Sequence, residues 1–265
     1  MSVFVEESGS GSPAVVLLHG QGASGVVWDG VRAALAGYRC VAVDLPGHGR
    51  SGRLPGYPPH AYAAAIAPAL PAGPLTLVGH SLGGMVALAL ADPALGLDVG
   101  AVLVLAMKVT WTEQEASRRA DRARRPPDHF PDRSLALRRF AKLAGLGGLG
   151  GLGRLGGLSE IGVFSERLAS GIAPDGDGWR LSHDPATAAD PPVTPRELRA
   201  LAGRLAAPPH LACGDQDPMV SPDDLALLGH PVTTLPGAGH NVHIEQPQVV
   251  AELVRAAVPA PRPAG

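Results

Sequence analysis

Six short apolar runs constrain this chain more than any other feature: AVVLLH at 14–19, CVAVD at 40–44, LTLVG at 75–79, VLVLA at 102–106, HLAC at 210–213 and VTTLP at 232–236. Most are continuously apolar rather than alternating, as strands covered on both faces are, and such strands belong to parallel sheets. Between them lie helical candidates at Trp28 to Leu35, Ala61 to Leu70, Leu82 to Leu90 and Gln246 to Ala257; in the last, Val249, Val250, Leu253, Val254 and Ala257 fall at helical spacing. Strand and helix in alternation predict an α/β fold with a mostly parallel, doubly wound sheet. At 265 residues the chain can bury a sizeable core, and one domain with an insertion fits the pattern best.

The insertion follows the strand at 102–106. From Lys108 to about Pro208 no comparable run occurs, far more chain than an ordinary crossover needs. A helical cap or lid over 108–207 is therefore expected, with a core made of 1–107 and 208–265. Lys108 to Lys142 holds ten Arg or Lys residues against five acids. This excess reads either as a solvated helix face or as a field that attracts an anionic substrate. Further on, Leu143, Leu146, Leu149, Leu152, Leu155 and Leu158 recur every third residue among glycines. On a helix turning about 100° per residue such a spacing winds around the axis, and each Gly costs roughly 1 kcal/mol relative to Ala, so a stable regular helix is not expected there. Asp175 and Asp177 resemble the opening of a calcium loop, but Trp179 and Arg180 occupy the next ligand position and the glycine position. A tight turn between short strands, with Trp179 as a packing anchor, is expected instead.

The balance of 22 basic and 24 acidic residues supplies no general attraction to nucleic acid or anionic membrane. The N-terminus, MSVFVEESGSGS, has neither a basic region nor an apolar stretch of the secretory kind, so a soluble cytoplasmic protein is expected. Cys40 and Cys213 sit inside strand candidates and read as small buried thiols. His240 and His243 lie in a glycine-rich context without H-E-x-x-H or a cysteine set, so neither metal nor cofactor is expected.

GHSLGG at 79–84 carries the chemistry. It is G-x-S-x-G placed between the strand LTLVG and the helix LGGMVALALA, where Gly79 and Gly83 remove side chains that would collide and Ser81 is held at the apex of a sharp turn. A serine hydroxyl needs a base to become a nucleophile, and the base needs an orienting group. Downstream, LPGAGHNVHIEQP presents His240 just after a strand candidate, and HLACGDQDPMVSP places Asp215 and Asp217 just past another.

These residues, in the order Ser, Asp, His, resemble the α/β-hydrolase fold family, over about residues 1–107 and 205–258. Members often read G-x-x-D-P before the histidine, which selects Asp217 over Asp215; the latter is then a turn residue capping local amides. The resemblance also decides between two readings of LLHGQGASG. Gly20, Gly22 and Gly25 spell G-x-G-x-x-G, and Asp44 follows about twenty residues later, as in a dinucleotide site. In the family, however, the residue after H-G donates its amide to an oxyanion hole together with the residue after the nucleophile, which implies the backbone N–H groups of Gln21 and Leu82. DLPGHGRSG then resembles the family's D-x-P/R-G-x-G-x-S turn, with Asp44 shaping the loop beneath the site and with His48 and Arg50 forming that loop. His19 would support the oxyanion loop, His80 fill the variable slot of the turn, and His243 back up His240. Cap and strand ends wall the pocket in this family, so Met107, Trp111 and Met219 are candidates for substrate contact, with ordinary packing as the competing role.

The expectation is a serine hydrolase acting on a small or medium carboxylic ester, thioester or lactone through an acyl-enzyme on Ser81, working as monomer or homodimer on a small molecule. A serine nucleophile excludes the branches that use an aspartate, the haloalkane dehalogenases and epoxide hydrolases. Two alternatives remain: carbon–carbon hydrolysis or elimination on the same triad, and a ligand-binding receptor of hydrolase fold.

Overall fold

The computed structural model describes residues 1–146, 166–190 and 192–258. Seven strands form the main sheet: β1 (Phe4–Ser8), β2 (Ala14–Leu18), β3 (Arg39–Asp44), β4 (Leu75–His80), β5 (Val99–Leu105), β9 (His210–Gly214) and β10 (Val232–Leu235). Their spatial order is β1-β3-β2-β4-β5-β9-β10, with only β1 antiparallel to its neighbour. The six expected runs are thus the six parallel strands. The edge strand β1, with sequence FVEES, adds a seventh that lacks their apolar signature.

Alternate residues of each strand enter opposite layers, as a pleated strand requires. Val16 and Leu18 of β2, with Val41, Val43, Leu77 and Val104, pack under Tyr62 and Ile66 of α2 (Pro59–Ile66) and Val86 and Leu90 of α3 (Leu82–Leu90). Val15 and Leu17, with Cys40, Ala42, Val78 and Leu105, face the other way. They meet Trp28, Val31 of α1 (Asp29–Ala34), and Val250 and Val254, which lie in the C-terminal helix Pro247–Ala257. Both faces are covered, which is the doubly wound arrangement and explains why the central strands show no polar alternation.

Between β5 and β9 the chain forms α4 (Glu113–Ala123), β6 (His129–Phe130), α5 (Arg133–Leu143), β7 (Ile172–Asp175), β8 (Gly178–Leu181) and α6 (Pro195–Ala202). Strands β6, β8 and β7 make a small antiparallel sheet with the tight turn at Asp175–Gly178. Trp179 of β8 packs beside the second layer. The helices of the interval begin with side-chain caps: Thr112 and Thr194 make capping boxes with Glu115 and Glu197, and Asp132 accepts from the Leu135 amide. Within the interval expected as cap, α5 buries Leu137 and Phe140 in the second layer and α6 buries Leu198 and Ala202 in the first. The leucine repeat falls outside the described residues except for its start: Leu143 ends α5 and Leu146 lies in the following turn. After β9 come α7 (Pro222–Ala226), α8 (Val242–Glu245) and α9 (Pro247–Ala257). No helix among the described residues is long and apolar enough to cross a membrane.

Candidate active site

In a parallel sheet every strand ends on the same rim, and ligand sites gather there. Gln21 follows β2, Ser81 follows β4, Asp217 follows β9 and His240 follows β10, so segments far apart in sequence share that edge.

Ser81 sits between β4 and α3 at φ 50°, ψ −115°, a conformation rarely adopted by a residue with a side chain. Its amide donates to the Leu105 carbonyl at 2.9 Å, and its carbonyl accepts from the Gly84 amide at 2.9 Å. The turn closes because its flanks are glycine: a Cβ on Gly79 would fall 2.1 Å from the Gly83 oxygen, and one on Gly83 would fall 2.1 Å from the Leu18 oxygen. Any larger residue would push α3 off the sheet.

His240 Nδ1 lies 2.9 Å from Asp217 Oδ2. The carboxylate is fully buried while the imidazole keeps 15% of its side-chain surface open. The other oxygen, Oδ1, accepts from the amides of Met219 at 2.8 Å and Val220 at 3.2 Å. A carboxylate that only accepts places the ring proton on Nδ1 and leaves the Nε2 lone pair available. Asp215 is elsewhere: its Oδ1 accepts from the Gly237 amide at 2.7 Å in an exposed turn.

Sequence reasoning missed two supports of His240. His80 Nε2 donates to the His240 carbonyl at 2.9 Å, a bond that an unremarkable residue between glycine and serine does not advertise. Glu245 accepts from the amides of Gly239 at 2.5 Å and Asn241 at 3.2 Å, gripping the loop on both sides of His240; a carboxylate five residues downstream was the only available hint.

The loop after β2 lies against Ser81, since a Cβ on Gly20 would stand 3.4 Å from Ser81 Cβ. His19 holds this loop: Nδ1 donates to the Gly20 carbonyl at 2.8 Å, while Nε2 accepts from the Leu45 amide at 2.9 Å. Among the described residues the amides of Gln21 and Leu82 have no protein acceptor. Leu82 also begins α3, where the helix dipole favours negative charge. Asp44 organises the next loop, accepting from the Gly25 amide at 2.7 Å and from both the amide and Nε of Arg50 at 2.9 Å.

The surrounding histidines are held neutral. Burial pulls the pKa of His80 well below the ordinary imidazole value, helped by His243 and His240. Burial likewise takes His243 down to about 3 and lowers His19. His243 packs its ring 4.2 Å from His80 and 4.5 Å from Trp28. It stands behind His80 as a packing residue.

The three pocket candidates separate. Met107 is buried in the first layer; Met219 is 48% exposed beside Asp217; Trp111 is half-buried, with Lys108 Nζ 5.3 Å and Arg119 Cζ 5.6 Å from its ring centre. Lys108 joins the latter two, since its ammonium reaches the Met219 carbonyl at 3.5 Å.

This architecture defines a class, and the chain belongs to the alpha/beta hydrolase family, whose model matches residues 15–253. Among particular proteins it is 30% identical over 266 residues to the esterase Rv0045c of Mycobacterium tuberculosis, covering 93% of this chain and 83% of that one. It is 44% identical over 97 residues to the pimeloyl-[acyl-carrier protein] methyl ester esterase of Methylococcus capsulatus; this match spans 36% of the chain and only 37% of that relative's length. Among solved structures, the thioesterase domain from the curacin biosynthetic pathway superposes with a TM-score of 0.72 at 25% identity, covering 96% of this chain and 95% of that one.

Proposed function

We propose that the chain is a serine hydrolase that cleaves a small or medium carboxylic ester, thioester or lactone. The observation that carries this reading is the 2.9 Å contact between His240 Nδ1 and the buried Asp217 carboxylate, on the rim where Ser81 is held in a strained turn. The names of the similar proteins, two esterases and a thioesterase domain, agree with it.

In this mechanism His240 Nε2 takes the proton of Ser81 as Oγ attacks the substrate carbonyl. Asp217 keeps the imidazole in the required tautomer and stabilises the imidazolium that forms. The former carbonyl oxygen becomes an oxyanion between the amides of Gln21 and Leu82, each such donor being worth about 10²–10³ in rate. The imidazolium protonates the leaving alkoxide or thiolate, and a water molecule, deprotonated by His240, then cleaves the acyl-enzyme. The interval expected from the sequence as the cap, 108–207, would contribute Trp111 to the wall of the pocket.

The test is a panel of aryl esters, lactones and acyl thioesters assayed with wild type and Ser81→Ala, together with labelling by a fluorophosphonate. Wild type is expected to accelerate hydrolysis by several orders of magnitude and to carry the probe on the peptide containing Ser81, and the variant to do neither. Equal rates in both proteins would remove Ser81 from the chemistry.

A further inference from the structure

Arg119 of α4 is half-buried within the insert. Its Nη2 donates to the Thr187 carbonyl at 3.1 Å, and its guanidinium lies over the Trp111 ring, 5.6 Å from the centre. Its Nε is buried without a hydrogen-bond partner, and no carboxylate approaches within ion-pairing distance among the described residues. Removing a guanidinium from water without a counter-charge is costly, and proteins seldom keep one so unless it is used. Stapling to Thr187 explains one of its five N–H groups and would be served equally by lysine. The unpartnered Nε belongs to the planar group whose paired N–H bonds recognise planar anions.

The surroundings connect this fork to the reacting centre. Thr187 accepts Arg119 on its carbonyl and, on its hydroxyl, the side-chain amide of Gln21 at 2.6 Å. Gln21 Oε1 is likewise buried without a partner. A continuous wall therefore runs from Ser81 through Gly20 and Gln21 to Thr187 and Arg119. The other cation at Trp111 is already matched, because Lys108 pairs with Glu115 at 2.9 Å. Asp190 makes no ion pair with Arg119; its Oδ2 accepts instead from the Tyr57 amide at 2.6 Å.

We propose that Arg119 binds a carboxylate carried by the substrate at the end away from the reacting carbonyl, with the connecting methylenes lying along Trp111. The natural substrate is then an acyl compound with a second, anionic end, such as a half-ester of a short dicarboxylic acid. This rests on the assignment of Ser81 and adds the charge of what Ser81 attacks.

Matched monomethyl and dimethyl esters of succinate, glutarate and adipate test it, with hydrolysis followed by gas chromatography of released methanol. Wild type is expected to favour the monoester in kcat/KM by about 10- to 100-fold at one chain length, the range of hydrogen bonds to a charged group. Arg119→Gln brings the ratio of monoester to diester to within about threefold of unity; Arg119→Lys keeps part of the preference, a charge without the fork. Arg118→Gln, one residue away on the exposed face of α4, keeps the wild-type ratio. Activity that depends on Ser81 but shows no charge preference at any length, or a preference that survives Arg119→Gln, overturns the proposal while leaving the nucleophile assignment standing. Rates unaffected by Ser81→Ala overturn both.

Discussion

Mild acid should destabilise this protein, because four histidines are buried as neutral rings. His19, His48, His80 and His243 are each no more than 4% exposed, and burial lowers the pKa of all four. In the unfolded chain each takes up a proton near pH 6.5, whereas the folded form resists, His243 down to about 3. Their stabilising effect is complete above the unfolded value and is lost as pH falls below it, since the unfolded state then binds more protons. For a ring that stays neutral throughout, as His243 does, the loss between pH 6.5 and 5.5 is about 1 kcal/mol, and His19, His48 and His80 add to it in the same direction. His183, also lowered by burial, acts in the same direction. A typical domain has about 5–15 kcal/mol in total, so a loss of this order is measurable against what holds the chain folded. Carboxylates with lowered pKa, such as Glu6 and Asp224, lose their stabilising effect only as pH falls below their ordinary values of 4.5 and 3.8, outside this window. Urea titrations at pH 7.5, 6.5 and 5.5 should show the midpoint falling steeply with the slope unchanged. His243→Phe, which keeps an aromatic ring against Trp28 and His80, should recover about 1 kcal/mol of the acid loss. A total loss below about 1.4 kcal/mol across that unit of pH, or a gain in stability, would refute the reasoning.

Three further outcomes follow from the site. Asp217→Asn should lower kcat by roughly 10³–10⁴, by losing the orientation of His240, while Asp215→Asn stays within about threefold of wild type; steady-state kinetics on one ester separates the two. Gly83→Ala forces a methyl into the Leu18 carbonyl and should cost about 3 kcal/mol or more, read as a fall of about 6 °C or more in Tm. His80→Phe removes the donor to the His240 carbonyl and should reduce kcat about tenfold with KM nearly constant; a KM effect alone would make His80 part of the pocket wall instead.

The central parallel strands were legible because they are covered on both faces, which forces the uninterrupted apolar runs of Val15–Leu18 and Val102–Leu105. Strand β1 was not, since Glu6 and Glu7 interrupt it: at the sheet edge these side chains reach Arg32, Arg167 and Arg39 rather than a core. The elbow and the position of His240 were visible as glycine-flanked residues at strand ends, because the physical need there is local. The choice between Asp215 and Asp217 was not local, and it needed a family resemblance before the contact with His240 was seen. Arg119 was only one of ten basic residues; what distinguishes it is the arrival of Thr187 and Trp111 beside it, which no spacing encodes.

The bond from His80 to the His240 carbonyl has a mechanical consequence. The residue that immediately precedes Ser81 tethers the main chain of His240, so a displacement of the turn at Ser81 drags that imidazole's anchor along with it. One hydrogen bond thus couples the positions of Ser81 and His240, which lie far apart in sequence but on one rim of the sheet, much as a rivet couples two plates.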